Sequence, residues 1–519
     1  MEVALEAKDA GEWVYRGEGA INLVLAYNGS SPDFIGKVLR IQKVSRNESH
    51  CEKCPLALNM HECLLWKETK NLVSAPTREI AEQLYVQHVM SPLLGSEHVD
   101  AGIRILVSRE FLEAVEKNVH CQRPSWRVDA AMVNPLCDSA LLISDHAFFP
   151  HGILKENICV SVEIKPKCGF LPLSEFIAEG NTIKRSTTRF KMYQTLKLQQ
   201  GKVSEISTYD PLDIFSGSKD RVHKAVKDLF ATPQNNFRVF LNGSLIFGGL
   251  GGGVDSTSCM VGKAFEDVLK CIIWAEDGMR TINFLELVAE AIFRSGLLDR
   301  LLKVQKLDVV DIEGAIHAYY DIISQPCMVC RELGEGKLSE KYTSLHSIPL
   351  NESLKIVRDF LIAATGKDLS MMYCFRPRKT GDLESPYGGV LLESTNQSFD
   401  CKVVGWLGVR FGVRCGVWWF EVVALMWQQL WCLRVPVEDE EEEEIDGFWA
   451  SFIDLDMKPL MKMEYYYELD QQIVSCYSQK VKAQHKLENA TSIAEVANFD
   501  QSNVMEDAPH SRDTAGNWE

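Results

Sequence analysis

Positive charge is what this sequence has least of. Its 519 residues carry 55 lysines and arginines against 72 aspartates and glutamates, a net charge of −17. That excludes the broad basic surface on which nonspecific nucleic-acid binding relies, while leaving room for a local basic pocket. The start, Met1 to Asp9, lacks a basic-then-apolar leader, so the 16 cysteines read as reduced thiols or metal ligands rather than a disulfide framework. Cytosol or nucleus is the expected compartment. Long uncharged apolar runs are also missing. Cys415 to Leu433 comes nearest, but it contains Glu421, Gln428 and Gln429 and barely reaches the ~20 residues a span requires, so no membrane partner is expected. The glycines Gly248 to Gly253 are not closed by Gly-Lys-Ser/Thr, which excludes a Walker loop and leaves a mobile surface loop. No His-Arg-Asp or Asp-Phe-Gly occurs, which argues against a protein kinase.

What is present begins with alternation. Trp13 to Gln42 alternates apolar and polar residues around Gly17-Glu18-Gly19 and Asn28-Gly29-Ser30, predicting a β-meander with its glycines at the first hairpin. Arg78 to Leu94 reads as a helix ending near Gly95, and Ala140 to Ile143 as a strand leading into Asp145-His146. A second block opens with the strand Ile158 to Ile164. Helical spacing follows at Thr187–Gln199, Arg221–Phe230 and Glu286–Phe293, and Phe237–Phe247 is strand-like. Residues 404–450 look foreign: they hold six of the eleven tryptophans and the acidic run Glu438 to Glu444. They read as a disordered insertion between two halves of one β-hairpin, and 481–519 as a disordered tail.

Several constellations suggest chemistry on phosphates. Backbone N–H groups of a glycine hairpin approach phosphate oxygens without a side-chain clash, and Arg40 on a following strand supplies a cation; alone, such a hairpin is also an ordinary turn. Glu163-Ile164-Lys165-Pro166-Lys167 ends an apolar strand in two lysines, which in extended chain would project to one side. Asn235 and Asn236 precede Arg238 on a buried strand, which suits hydrogen bonding to phosphate oxygens. His317, Cys327, Cys330 and His346 form a ligand set with Cys-x-x-Cys spacing, read as a closed structural zinc site; Cys51, Cys54, His61 and Cys63 are a weaker set. Asp368 and Asp454 close apolar segments, and phosphoryl transfer needs one carboxylate to take the hydroxyl proton and another to hold Mg²⁺.

In this order the motifs resemble the inositol-pentakisphosphate 2-kinase family, and its plant members closely. The resemblance runs through Arg16-Gly17-Glu18-Gly19, Glu163 to Phe170, Arg189-Phe190-Lys191-Met192, Pro233 to Gly243, Ser353 to Asp368 and Phe452-Ile453-Asp454-Leu455. It implies an α+β, two-lobed fold distantly like protein kinases, with a small mostly β N-lobe (1–143) and a larger mixed C-lobe (144–403 and 451–480). It implies transfer of the ATP γ-phosphate to the 2-hydroxyl of inositol 1,3,4,5,6-pentakisphosphate, giving phytate, by a chain that works as a monomer. Carried over, Gly19, Ala20, Ile21, Asn22 and Arg40 would hold ATP phosphates, and Ser144, Asp145 and His146 would line the adenine hinge. Glu163, Ile164, Lys165 and Arg238 would complete the nucleotide site. Arg127, Lys167, Lys197, Asn235, Lys458, Lys462 and Tyr466 would grip the inositol phosphates. Asp368 would be the general base, Asp454 the Mg²⁺ ligand, and the His/Cys set the zinc site.

The sequence departs from the family pattern at Ala20, where a glycine is common, at Ser144, where asparagine is usual, and at Ser45 and Lys462, where arginine is expected. The Pro-x-x-x-Asp-x-Lys-x-Gly signature of the other common inositol polyphosphate kinases is absent. The non-catalytic alternative is an inositol phosphate sensor or scaffold inactivated by the 404–450 insertion.

Overall fold

The computed structural model describes residues 4–19, 21–46, 57–148, 158–249, 262–271, 273, 275–333, 340–375 and 448–503. The architecture is mixed α+β, with two sheets and many helices.

The first sheet contains β1 (Ala4–Leu5), β2 (Trp13–Glu18), β3 (Asn22–Tyr27), β4 (Lys37–Ser45), β5 (Ile103–Val107), β6 (Ala131–Val133) and β7 (Ser139–Ser144). Its order is β1-β5-β7-β4-β3-β2, with β6 also on β4. The β1–β5 pair is parallel and the others antiparallel. The expected meander is β2–β3–β4. Its two-residue period buries Leu23, Leu25, Leu39 and Ile41 against Phe111, Leu112 and Val115 of the helix Arg109–Val119, while Val24 and Val38 face a cleft. The helical stretch between β4 and β5 runs from Arg78 to Leu94 with one π-turn at Val86–Met90. It ends at Gly95 with φ 101°, a value that favours glycine.

The second sheet is antiparallel, in the order β10-β9-β8-β11-β12. Its strands are β8 (Val160–Ile164), β9 (Phe237–Leu241), β10 (Ser244–Phe247), β11 (Ser370–Phe375) and β12 (Phe448–Ile453). Every residue of β8 and β11 is buried, the polar Ser161, Glu163 and Ser370 included. One face packs on the helices Arg280–Ser295, Asp311–Ile323 and Leu350–Gly366 in the main core. The other carries Cys159, Phe240, Met372 and Cys374. The strand-like run Phe237–Phe247 is a hairpin, turned by Asn242 and Gly243 with φ 45° and 73°. A Cβ on Gly243 would lie 2.1 Å from Arg16 Nη2, so glycine lets an arginine of the first sheet cross this turn.

Two boundaries differ from the sequence reading. β12 starts at Phe448, inside the segment assigned to the insertion, because Phe448 and Ala450 are buried opposite Phe375 and Tyr373 of β11. The antiparallel neighbours β11 and β12 flank residues 376–447, and residues 404–447 lie outside the described residues. The final helix runs from Met463 to Asn503, so 481–503 are helical rather than a disordered tail; no glycine or proline interrupts them. Buried Lys184 ties this helix down, reaching Asp311, Glu313 and Asp470 at 2.5, 3.0 and 2.7 Å. Among the described residues no helix is long and apolar enough to cross a membrane; Cys415 to Leu433, Ala20 and most of Gly248–Gly253 lie outside them.

Candidate active site

A cleft lies between the sheets, lined by residues of both. Val24, Val38, Leu141 and Ile143 wall one side, and Phe240, Met372 and Phe452 the other. At its back β7 ends in Ser144, Asp145 and His146. The Ser144 N–H donates to Asp100 at 2.9 Å, Lys37 donates to the Ser144 hydroxyl at 3.1 Å, and Asp145 pairs with Arg16. Burial holds the His146 imidazole below its usual pKa, against the opposing pull of Asp100 and Asp145. An apolar slot with a polar rear edge suits a flat heteroaromatic ring.

The glycine hairpin forms one lip. The Gly19 N–H donates to Asn22 O at 2.9 Å, and Ile21 is exposed beyond it. Arg40, on β4 opposite Val24, reaches Asp456 at 2.7 Å.

Where Lys165 and Asp454 line the cleft, two carboxylates share a group of cations. Lys165 donates to Asp454 at 2.7 Å and to the Asp368 carbonyl at 3.5 Å; Lys167 and Lys458 reach the Asp368 carboxylate at 3.2 and 3.1 Å. The two lysines of the β8 motif are not on one extended strand. Pro166 ends the ladder and Lys167 takes φ 63°, its carbonyl held by Gln305 at 2.7 Å. They converge because the chain turns there, not because it alternates. Asp454 also has positive φ, 61°, and such backbone outliers cluster at functional sites. Glu163 accepts from Arg238 at 2.8 Å and from the Ser370 hydroxyl at 2.8 Å, and that hydroxyl lies 3.3 Å from Asp454. Ile164, the residue before Lys165, is fully buried in the sheet. Burial works to raise both aspartates, but the cations win. Lys167, Lys458 and Lys165 hold Asp368 well below the usual carboxylate range, and Lys165, Arg40 and Arg238 do the same for Asp454.

Lys197 lies near this group, within electrostatic reach of Lys167 and Asp368. On the helix Arg189–Gln199, it lies over the Tyr193 ring at 4.9 Å and makes no ion pair among the described residues; burial, with Lys167 and Lys202 nearby, lowers it to about 8. Asn235 lines the cleft, Lys462 ends the short turn Leu460–Lys462, and burial with Asp368 nearby pushes the Tyr466 phenol up to about 12. Arg127 stands opposite, donating to Gly19 O at 3.0 Å with its guanidinium 4.1 Å from the Trp126 ring. Such a group of cations fits a compact polyanion.

The His/Cys set shares no residue with the cleft. The donor atoms of His317, Cys327, Cys330 and His346 all lie within 4.8 Å of one another. Cys327 and Cys330 Sγ are 3.4 and 3.3 Å from His317 Nδ1, Cys330 Sγ is 3.3 Å from His346 Nε2, and the two imidazole nitrogens are 3.2 Å apart. Zinc–ligand lengths imply tetrahedral edges of about 3.3–3.6 Å for these donor types. His346 Nδ1 is 2.7 Å from Asp321, the outer partner that orients a metal-binding imidazole. In the weaker set, Cys51 and Cys54 lie outside the described residues, and the Cys63 thiol donates to Leu58 O at 3.8 Å.

The family pattern for inositol-pentakisphosphate 2-kinase matches residues 15–472, which spans the cleft and the His/Cys set. The chain belongs to the inositol-pentakisphosphate 2-kinase family. It is 51% identical over 491 residues to the inositol-pentakisphosphate 2-kinase of Arabidopsis thaliana, covering 94% of this chain and 98% of the relative. The corresponding Oryza sativa subsp. indica protein is 47% identical over 479 residues, covering 92% and 96%. That of Danio rerio is 28% identical over 442 residues, covering 72% and 84%. This membership makes the chain a kinase.

Of the described site residues named from sequence, Gly19, Ile21, Asn22, Arg40, Arg127, Ser144, Asp145, His146, Glu163, Lys165, Asn235, Arg238 and Asp454 line the cleft, and Ile164, Lys167, Lys197, Asp368, Lys458, Lys462 and Tyr466 do not. The sequence reading missed the partners that hold them. Asp456 for Arg40, Asp100 behind Ser144, Ser370 between Glu163 and Asp454, and Lys43 and Arg123 around Glu18 carry no local signal, since Arg40 and Asp456 are 416 positions apart.

Proposed function

We propose that this kinase transfers the γ-phosphate of ATP to the 2-hydroxyl of inositol 1,3,4,5,6-pentakisphosphate, giving the hexakisphosphate. The observation that carries the reading is the group of Lys165, Lys167 and Lys458 around Asp368 and Asp454, with Lys197, which makes no ion pair among the described residues, nearby. The relatives at 51% and 47% identity bear the name of this activity. The two sheets and their helices act as the two lobes of a kinase-like arrangement. Gly19, Ile21, Asn22 and Arg40 face the nucleotide phosphates, Ser144, Asp145 and His146 the adenine, and Glu163, Lys165 and Arg238 align the nucleotide. Lys167, Lys197, Asn235, Lys458, Lys462 and Tyr466 on one side and Arg127 on the other clamp the substrate, fixing the 2-hydroxyl near Asp368. Asp368 accepts its proton. Asp454 holds Mg²⁺, which when bound neutralises charge on the transferring phosphate. Zinc at the His/Cys set is structural, with every ligand position filled by protein. The protein works as a monomer in cytosol or nucleus. A sensor would need only the phosphate-binding cations; the lysine-held carboxylate pair goes beyond that.

The test is turnover with ATP, Mg²⁺ and inositol 1,3,4,5,6-pentakisphosphate, using the full chain and one lacking residues 404–447. Hexakisphosphate formation by both is expected. Failure of both chains to turn over while folded would overturn the proposal, and activity confined to the shortened chain would favour the sensor reading for the full one.

A pH effect follows from Lys197. Its ammonium binds phosphate and its neutral amine does not, so substrate affinity falls as pH rises through about 8. Loss of one charge-assisted bond, about 1.5–3 kcal/mol, makes KM rise roughly 10- to 100-fold across that window. Lys197→Arg removes the limb, because arginine stays charged; a KM that is flat from pH 7 to 9 in the unaltered chain rejects this role.

A further inference from the structure

Glu18 lies between the two glycines of the hairpin, where a phosphate-binding loop has no use for a carboxylate aimed at the nucleotide. Its side chain turns inward and is 2% exposed. There it pairs with Lys43 of β4 and accepts from Arg123 Nε and Nη2, both at 3.0 Å; Lys43 and Arg123 are 1% and 0% exposed. Arg123 Nη1 also forks onto Glu116 at 3.2 and 3.1 Å, closing a buried two-cation, two-carboxylate cluster. Charges buried this deeply persist only when fully paired, so the cluster behaves as one rigid knot.

The knot grips two elements with different tasks. Lys43 Nζ donates to the Gly19 carbonyl at 2.8 Å, at the tip of the nucleotide hairpin. Arg123 Nη2 donates to the carbonyls of Arg127 and Ala131 at 3.4 and 2.9 Å, one within the short helix Ser125–Ala130 and one at its end. The loop closes on itself, because Arg127 Nη1 donates to the same Gly19 carbonyl at 3.0 Å. Any shift of Arg127 is therefore felt at Gly19 by two routes, and the reverse.

We infer that Glu18 is a positioning residue that links the affinities for nucleotide and inositol phosphate, by holding the glycine hairpin and the Arg127 helix as one unit. The inference rests on the reading of Arg127 as a substrate contact. A ligand that orders one end of the unit spares the other ligand that ordering, so each tightens the other by the same factor.

Calorimetry tests it. A non-hydrolysable ATP analogue is titrated into the full chain with and without inositol 1,3,4,5,6-pentakisphosphate, and the ratio of the two dissociation constants is read. The unaltered chain is expected to show a ratio of at least about fivefold. Glu18→Gln keeps the shape and removes the charge facing Lys43 and Arg123, and the ratio is expected to fall toward one. Arg127→Ala cuts the link at its solvent-facing end, so it serves even where Glu18→Gln fails to fold; it too loses the ratio. A ratio of one in the unaltered chain, or an undiminished ratio in a folded Glu18→Gln chain, overturns the inference. If Arg127→Ala leaves inositol phosphate affinity intact, the substrate role of Arg127 fails instead. A purely structural role for the knot would lower the melting temperature without changing the ratio.

Discussion

Asp368→Asn is expected to lower kcat by about 10²- to 10⁴-fold, the usual contribution of a positioned proton acceptor, while inositol pentakisphosphate still binds. The substitution keeps the size of the side chain and removes its charge. Lys167 and Lys458, at 3.2 and 3.1 Å, lose their partner, yet substrate phosphates bring more negative charge than the carboxylate took away. Binding is therefore retained or tightened while turnover collapses. Steady-state kinetics beside calorimetry separate the two effects, and a kcat within tenfold of the unaltered chain would sink the assignment. The charge balance sets the pH behaviour as well. In the ligand-free protein Lys167, Lys458 and Lys165 outweigh burial and keep Asp368 ionised far below the usual carboxylate range. As those lysines turn toward substrate phosphates their pull weakens and the Asp368 pKa rises, making it a stronger base where it is needed. The acid limb of kcat, which reports the bound complex, is expected at higher pH than any acid limb of kcat/KM.

Removing the zinc proposed at His317, Cys327, Cys330 and His346 is expected to have the largest effect on stability. The four ligands come from the helix Asp311–Ile323 and the chain following it, and Asp321 braces both His346 and Ser353, at 2.7 and 3.3 Å. Closed zinc sites contribute directly to folding, by about 10–16 kcal/mol in small peptides, and a fraction of that here would lower Tm by more than about 5 °C. Metal analysis should find one zinc per chain, and Cys330→Ser should abolish it and lower Tm. Because the set shares no residue with the cleft, the fraction that stays folded should keep its KM. An unchanged Tm in Cys330→Ser, or zinc lost without destabilisation, would remove the structural role.

Much of this was legible from short stretches of chain. Apolar alternation located β2 to β4, and a Cys-x-x-Cys with two outlying histidines identified a ligand set that the fold does bring together. Reading failed where the deciding partner was distant or the backbone left its expected region. Lys165 and Lys167 were placed on one face of an extended strand, but positive φ at Lys167 turns the chain. Phe448 to Ala450 looked like the end of a foreign insertion, because nothing local announces that they pair with β11. The hairpin glycines drew attention while Glu18 between them did not, since its partner Arg123 lies 105 positions away.

By itself, then, the sequence determined the strand and helix periods, the types of metal ligand, and the order of motifs that marks the family. Those properties are set by neighbours along the chain, whose spacing dictates which side chains share a face. Only the tertiary structure decided that Asp368 and Asp454 answer to the same lysine, that Arg40 finds Asp456, and that Glu18 is locked to the Arg127 segment. Groups so far apart along the chain meet only once strands are paired, within one sheet for Lys165 and Asp454 and across the two sheets for Arg40 and Asp456, and no local period encodes that pairing.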